Sequence, residues 1–423
     1  MLRKIILPLA LFSASPVLAE TQVILAGNLI KDAASGNSGP ATITVVDGRI
    51  TKIAKGINRS TVGSGTVVDL SNKTILPGLI DTHTHISGDP GGDFWKSAVE
   101  PDEWGVVIGA KNALLTAKAG FTTIRDLGSA PLVGFTLARG TKEGHIPGPR
   151  ILSSGSTISI VGGHGDVSGF RPEVNAVLAD GSACTGAVQC ATVVREASKR
   201  GAALIKITAT GGVLSQQARG LDQHFTDAEM KSIVDTAHAL GLKVAAHAHG
   251  ARGVEAAARA GVDSIEHGTF SDDASVAAMK ASNTAIVPTL MAYTGIKERL
   301  GKGIYTPQVE DKIRATLAHV GKAAKKARAN GVKVIFGTDA GVYEHGRNAE
   351  EFALMVKHTG MSNKEALASA TTGAAELLGI EKEAGRIAVG YSADIIAVTG
   401  NPLKDIKILE KVDWVMARGR IID

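Results

Sequence analysis

Between residues 76 and 380 the chain repeats one pattern, a short apolar run followed by a longer alanine-rich stretch of helical period. The runs are the segment before His83, then "FTTIRDL" (121–127), "RILSSG" (150–155), "ALIKITA" (203–209), "LKVAAHAH" (242–249), "VDSIEHG" (262–268), "TAIVPT" (284–289) and "VKVIFGTD" (332–339), eight in all. Intervening stretches such as "DAEMKSIVDTAHALG" and "RGVEAAARAG" end on glycine, as helices often do. Crossovers between parallel strands keep one hand and cover the sheet. Eight β-then-α units therefore predict an α/β fold closed into a (β/α)8 TIM barrel. An open doubly wound sheet is the alternative.

The flanks read differently. "TQVILAGNLIKD", "ATITVVDGRITKIA" and "GTVVDL" on one side, and "GRIAVGYSADIIAVTG" and "VDWVMARGRIID" on the other, are short strand-like runs separated by turns. The Asp-Gly pair in "VDGR" (46–49) marks a hairpin. The blocks 20–75 and 381–423 are expected to pair as a small β-sandwich beside a catalytic barrel over 76–380. Residues 1–19 have the form of a secretory signal peptide: Arg3 and Lys4, an apolar stretch, then Val17 and Ala19 at a cleavage site. The mature protein is thus expected to be exported, periplasmic or secreted, with a retained N-terminal anchor as the alternative.

Loss of that segment removes two basic residues and no acidic ones, so the net charge falls from +5 to +3. So mild and dispersed a charge, with only 4% aromatic residues, gives no footprint for nucleic acid. No later stretch reaches the ~18 apolar residues a membrane span needs. Cys184 and Cys190 stand in "GSACTGAVQCA"; an exported protein can bridge them, and two free thiols are the alternative.

In a barrel of this kind the active site lies at the C-terminal ends of the strands. "LPGLIDTHTH" ends with His83 and His85, which are two apart and so share one face of a strand. The fifth run ends at His247 and His249, the sixth at His267 and the eighth at Asp339, while the fourth carries Lys206. Metal-ligand residue types at five of eight strand ends point to a metal centre. Lys206 interrupts "LIKIT", where a bare ammonium is costly to bury. It either snorkels to the barrel mouth, or its neutral amine has taken up carbon dioxide to give a carbamate able to bridge two cations. His164 lies in the glycine-rich "VGGHGD", which suits a group reaching over a substrate. His345 could line the pocket; His145, His224, His238, His319 and His358 read as structural.

The motifs "GLIDTHTH", "IKITATGG", "HAHG", "IEHG" and "GTDAG" resemble the metal-dependent amidohydrolase superfamily, in its binuclear branch with a carboxylated lysine. "GGHGD", "ATGGVLS" and "GTDAGVYEHGRNAEE" are similar to its peptidase-like group, which includes Xaa-Pro and Xaa-Arg dipeptidases and ochratoxin-hydrolysing enzymes. The resemblance spans essentially the whole mature chain. It implies that His83, His85 and Asp339 hold one metal and His247 and His267 a second, with carboxylated Lys206 and a hydroxide bridging them. The metals it implies are two zinc ions per chain. His164 and His249 would be substrate-binding, though His249 could equally support a ligand or simply pack.

The resemblance further implies amide-bond hydrolysis with Asp339 as proton shuttle, on an N-acyl amino acid or short peptide with a free C-terminal carboxylate, ochratoxin A included. A homo-oligomer, an octamer by analogy, is expected as well. A lactonase, phosphotriesterase-like or cyclic-amide hydrolase, a mononuclear deaminase and a non-catalytic metal-binding protein are the competing readings.

Overall fold

The structure is a computed structural model that describes residues 20–59, 65–91, 94–215 and 220–423. The expected signal peptide lies outside the described residues. Seven barrel strands follow in order: Leu79–Thr84, Phe121–Asp126, Arg150–Ser153, Ile205–Thr208, Val244–Ala248, Ser264–His267 and Ala285–Val287. The first three form one parallel sheet and the last four another. Backbone hydrogen bonds close the ring between them. Ala203 N donates to Ser153 O at 2.9 Å, joining the third strand to the fourth. Ile335 N donates to Ile286 O at 2.9 Å and Thr82 N to Phe336 O at 3.3 Å, so residues 332–340 link the seventh strand to the first.

That eighth segment corrects the expectation of a regular strand over 332–339. It contributes only isolated parallel bridges, Ile286 with Val334 and Thr84 with Ala340. The cause is local. A Cβ at Gly337 would stand 2.4 Å from Val287 Cγ1, so the chain passes too close to its neighbour for a pleated side chain. Two residues later Asp339 turns to φ 63°. The third run also ends early, at Ser153, and Ile158 then fills the opening beside Lys206, its N–H donating to Lys206 O at 2.8 Å.

Helices cover the ring as the sequence predicts. Asp227–Ala239 starts with a capping box in which Thr226 and Glu229 satisfy each other's backbone amides. Ala251–Ala260 stops at Gly261, whose φ of 96° is left-handed backbone that glycine adopts without strain. Cys184, on the short strand Ala183–Cys184, is disulfide-bonded to Cys190 in the helix Ala187–Arg200, and both are buried. No helix among the described residues is long and apolar enough to cross a membrane.

The flanking strands join as one seven-stranded sheet. Its order is Arg420–Ile421, Trp414–Ala417, Ile395–Val398, Thr66–Pro77, Thr21–Leu29, Ala41–Val46 and Arg49–Lys55. The Asp47–Gly48 turn has φ of 48° and 75°, the paired positive values of a tight hairpin. The sheet folds over until that hairpin meets the Arg418–Gly419 turn, where a Cβ on Gly419 would lie 2.3 Å from Gly48 Cα. Ile43, Ile50, Ile395 and Met416 are buried together between its two halves. This is how chain ends more than 300 residues apart make one sandwich.

Candidate metal centre

A cavity of about 470 Å³ opens at the C-terminal ends of the barrel strands. His83, His85, His164, Lys206, His247, His249, His267 and Asp339 all line it. The structure therefore brings together every site residue read from the sequence. His345 is not among them: its Nδ1 meets Thr116 Oγ1 at 2.9 Å and its Nε2 meets His85 O at 3.1 Å, so it braces the backbone behind His85.

The donor atoms fall into two groups. One atom each from His83, His85 and Asp339 lies within 4.8 Å of the others, and likewise for His247, His249 and His267. The groups adjoin, since the His83 and His267 rings are 5.2 Å apart. In the first group His83 Nδ1 meets Glu266 Oε2 at 2.8 Å and His85 Nδ1 meets Gly128 O at 3.0 Å. Both acceptors fix the proton on Nδ1 and leave each Nε2 lone pair facing Asp339 Oδ1, 3.4 Å and 3.3 Å away. His83 Nε2 and Asp339 Oδ1 are buried, and neither has a hydrogen-bond partner among the described residues. Orphaned acceptors at such depth cost about 1–3 kcal/mol each, and a cation between them would remove that cost.

The second group is aimed in the same way. His267 Nδ1 meets Thr289 Oγ1 at 2.7 Å, which leaves Nε2 free. His247 Nε2 meets Gly211 O at 3.2 Å, which leaves Nδ1. His249 Nδ1 meets Thr269 Oγ1 at 2.6 Å, and that hydroxyl in turn meets Tyr293. Burial above all, with the crowding of neighbouring imidazoles and Lys206, holds His247 and His267 well below the ordinary imidazole range, which favours the neutral rings that ligate. Burial holds His249 down at about 3, against the opposing influence of Asp339. The donor set fits divalent cations bound by imidazole and carboxylate.

Lys206 lies in the same cavity wall, only 3% exposed. Burial pulls its ammonium down to about 8, although Glu266 and Asp339 favour the charge. Asp339 carries the opposite balance: burial would raise its carboxyl, but positive charge on the His83 and His85 side, where a cation would sit, holds it well below the carboxylate range. Backbone strain concentrates here too. His267, Thr289 and Asp339 have φ of 70°, 48° and 63°, left-handed values that non-glycine residues keep only where the surroundings impose them.

Beneath the histidines runs a buried network that sequence reading missed. Arg125, 1% exposed, donates to Thr82 O, to Ser264 Oγ at 3.1 Å and to Glu266 Oε1 at 2.9 Å. Burial would raise the Glu266 carboxyl, yet the Arg125 guanidinium and His83 hold it at about 2. A charged pair inside strands "TTIRDL" and "SIEHG" was the available signal. On the other side of the first strand Asp81 accepts from Thr338 Oγ1 at 2.6 Å and Asn348 Nδ2 at 2.8 Å, tying that strand to the turn that carries Asp339.

His164 hangs over the second group, its ring 4.4 Å from His247 and its Nδ1 2.7 Å from Ser215 Oγ. Gly212 makes the room, because a Cβ there would lie 2.2 Å from the His164 ring. Part of the lining is apolar: Val213, Leu214, Ala292, Ile296 and Val342, with Tyr293 among them.

Comparison with known proteins agrees with this geometry. The pattern of the amidohydrolase family matches residues 74–422. The ochratoxinase of Aspergillus niger is 31% identical over 358 residues, which cover 80% of this chain and 72% of that protein. Its crystal structure superposes with a TM-score of 0.83 at 28% identity, covering 96% of each chain. A Xaa-Pro dipeptidase crystallised with methionine in its active site superposes with a TM-score of 0.86 at 36% identity, covering 95% of this chain and 99% of the other.

Proposed function

From the chain's membership of the amidohydrolase family, and its character as a hydrolase of amide bonds, we propose a binuclear zinc enzyme of carboxypeptidase or dipeptidase type. Its substrates are N-acyl amino acids and short peptides with a free C-terminal carboxylate, ochratoxin A among them, which it cleaves to ochratoxin α and L-phenylalanine. One observation carries the reading: two adjoining ligand groups and a buried lysine share the floor of a single cavity. Two similar proteins supply the direction, an ochratoxinase and a Xaa-Pro dipeptidase.

His83, His85 and Asp339 would hold one cation, and His247 and His267 the other. Lys206 would bridge them as a carbamate, formed when its neutral Nζ adds to carbon dioxide and releases a proton. Bound there, two such cations would lower the pKa of water enough to give a nucleophile at neutral pH and would polarise the amide carbonyl. The chain's residues do the rest. Asp339 would take the proton of the water as its oxygen adds to the carbonyl carbon, and would deliver that proton to the amide nitrogen as the C–N bond breaks and the amine departs, the step an amide most needs. His164 and His249, whose rings lie 4.4 Å and 4.7 Å from that of His247, would contact the substrate. The wall of Val213, Leu214, Ile296 and Val342 receives an apolar acyl or aromatic group.

We place the mature enzyme outside the cytoplasm, as the residue 1–19 segment suggests and the buried Cys184–Cys190 bridge supports. We also propose that it assembles as a homo-oligomer. The test of function is product analysis on ochratoxin A, N-acyl amino acids and Xaa-Pro dipeptides. Release of the C-terminal amino acid is expected. Free ammonia or an opened lactone as the product would refute the reading.

A further inference from the structure

Glu351 lines no part of the cavity, and none of the roles above uses it. It stands in the first turn of the helix Glu350–Thr359, 0% exposed. The start of another helix, Leu290–Arg299, is turned toward it. Leu290 N donates to Glu351 Oε1 at 2.9 Å and Met291 N to Oε2 at 2.6 Å. Amides in a first helical turn have no acceptor within their own helix and carry its positive end, so a buried carboxylate is the partner they fit.

The residue before those two amides is Thr289, at φ 48°. A β-branched residue holds left-handed backbone only where its surroundings impose it. In that pose Thr289 Oγ1 reaches His267 Nδ1 at 2.7 Å. His267, the last residue of its strand, is itself at φ 70°, outside pleated backbone. The chain of contacts runs from Glu351 through two amides and one hydroxyl to a ring at the cavity floor.

We propose that Glu351 is a positioning residue for His267: by binding Leu290 N and Met291 N together it holds the Thr289 turn, and the turn fixes the ring with Nε2 toward the cavity. This rests on the reading of His267 as a metal ligand. Glu266 serves His83 by direct contact, and Asp81 serves Asp339 through Thr338. Glu351 does the same for His267 from one step further away. Were Glu351 only a helix cap, its loss would lower stability and leave metal binding alone.

The test uses Glu351→Gln, Thr289→Ala and the double variant in the full chain. A glutamine there keeps size but offers an N–H to one of two N–H donors, so it removes the two-pronged grip without opening a cavity. Metal-free protein is titrated with Zn²⁺ against a chromophoric chelator, and amide exchange is followed over residues 288–293 before metal is added. In Glu351→Gln we expect one of two sites to weaken by about 10–100-fold, the other to stay unchanged, and exchange of the segment to accelerate. Thr289→Ala should weaken the same site, and the double variant should be no worse than the poorer single, because both act through one path. Unchanged affinities and exchange in Glu351→Gln would overturn the proposal, as would equal loss at both sites or additive effects in the double variant. A wild-type chain that takes up no metal would refute the metal-centre reading instead, while the exchange of metal-free protein still decides whether Glu351 holds the turn.

Discussion

At the scale of the residue, the site is a set of aimed lone pairs. Each imidazole in it has one nitrogen bound to a neighbour, Glu266, Gly128, Gly211, Thr269 or Thr289, and the other turned inward. Asp339 is where aim and chemistry coincide. Asparagine tolerates the φ of 63° found there, so Asp339→Asn should fold normally. With no carboxylate to move a proton, kcat should fall by about 10²–10⁴-fold, read by steady-state kinetics on protein whose metal content is matched to wild type. Glu266→Gln is predicted to act differently. It leaves Arg125 buried without its counter-charge, which costs about 3–5 kcal/mol, so Tm and metal retention should fall together. A variant with wild-type Tm and full metal content would contradict the role given to that pair. The ligands were legible in the sequence because residue type and strand end coincide. Their supports were not. Glu266 and His267 are adjacent and would face opposite ways in a regular strand, but His267, the last residue of its strand, turns to φ 70°.

At the scale of the element, the alternation of apolar runs and alanine-rich stretches marked seven of the eight strands and the helices between them. The eighth run has the composition of a strand and not its geometry, since Gly337 and Asp339 take the chain out of the pleat to bring a ligand into the cavity. No local pattern shows that, because the constraint comes from Val287 on the neighbouring strand. Capping, by contrast, is a local matter, although only the glycines at helix ends stood out in the sequence. Ser362 and Glu365 form a capping box at the start of Asn363–Ser369, and Arg328 adds an ion pair. The Ser362 amide and hydroxyl, with Arg328, hold the Glu365 carboxyl at about 2. A carboxyl whose folded value lies below its unfolded value of about 4.3 stabilises fully above that pH and loses the effect as pH falls through the folded value. Glu365 is half-exposed, so the gain should stay below about 1 kcal/mol. The Tm difference between wild type and Glu365→Gln should therefore be small near neutrality and close as pH drops from about 5 to about 2. A difference that widens on acidification would show that the charged cap contributes nothing.

At the scale of the whole molecule, one barrel core and one sandwich core divide the work. The barrel positions the ligands, and the folded-over sheet ties the N-terminal strands to the C-terminal ones. The sequence showed two strand-rich flanks around a repeating centre, which was enough to expect their union. It did not show the order of the seven strands, because pairings such as Ile395 with Pro77 join residues more than 300 apart, and a local pattern has no memory over that distance. The account rests throughout on both ligand groups being filled in the working enzyme. The most direct test is metal content per chain, measured by elemental analysis on the same preparation whose amide hydrolysis is assayed. About two divalent ions per chain, with activity lost on chelation and restored by zinc, is the predicted result. Full activity with a single ion per chain, or with none, would contradict it.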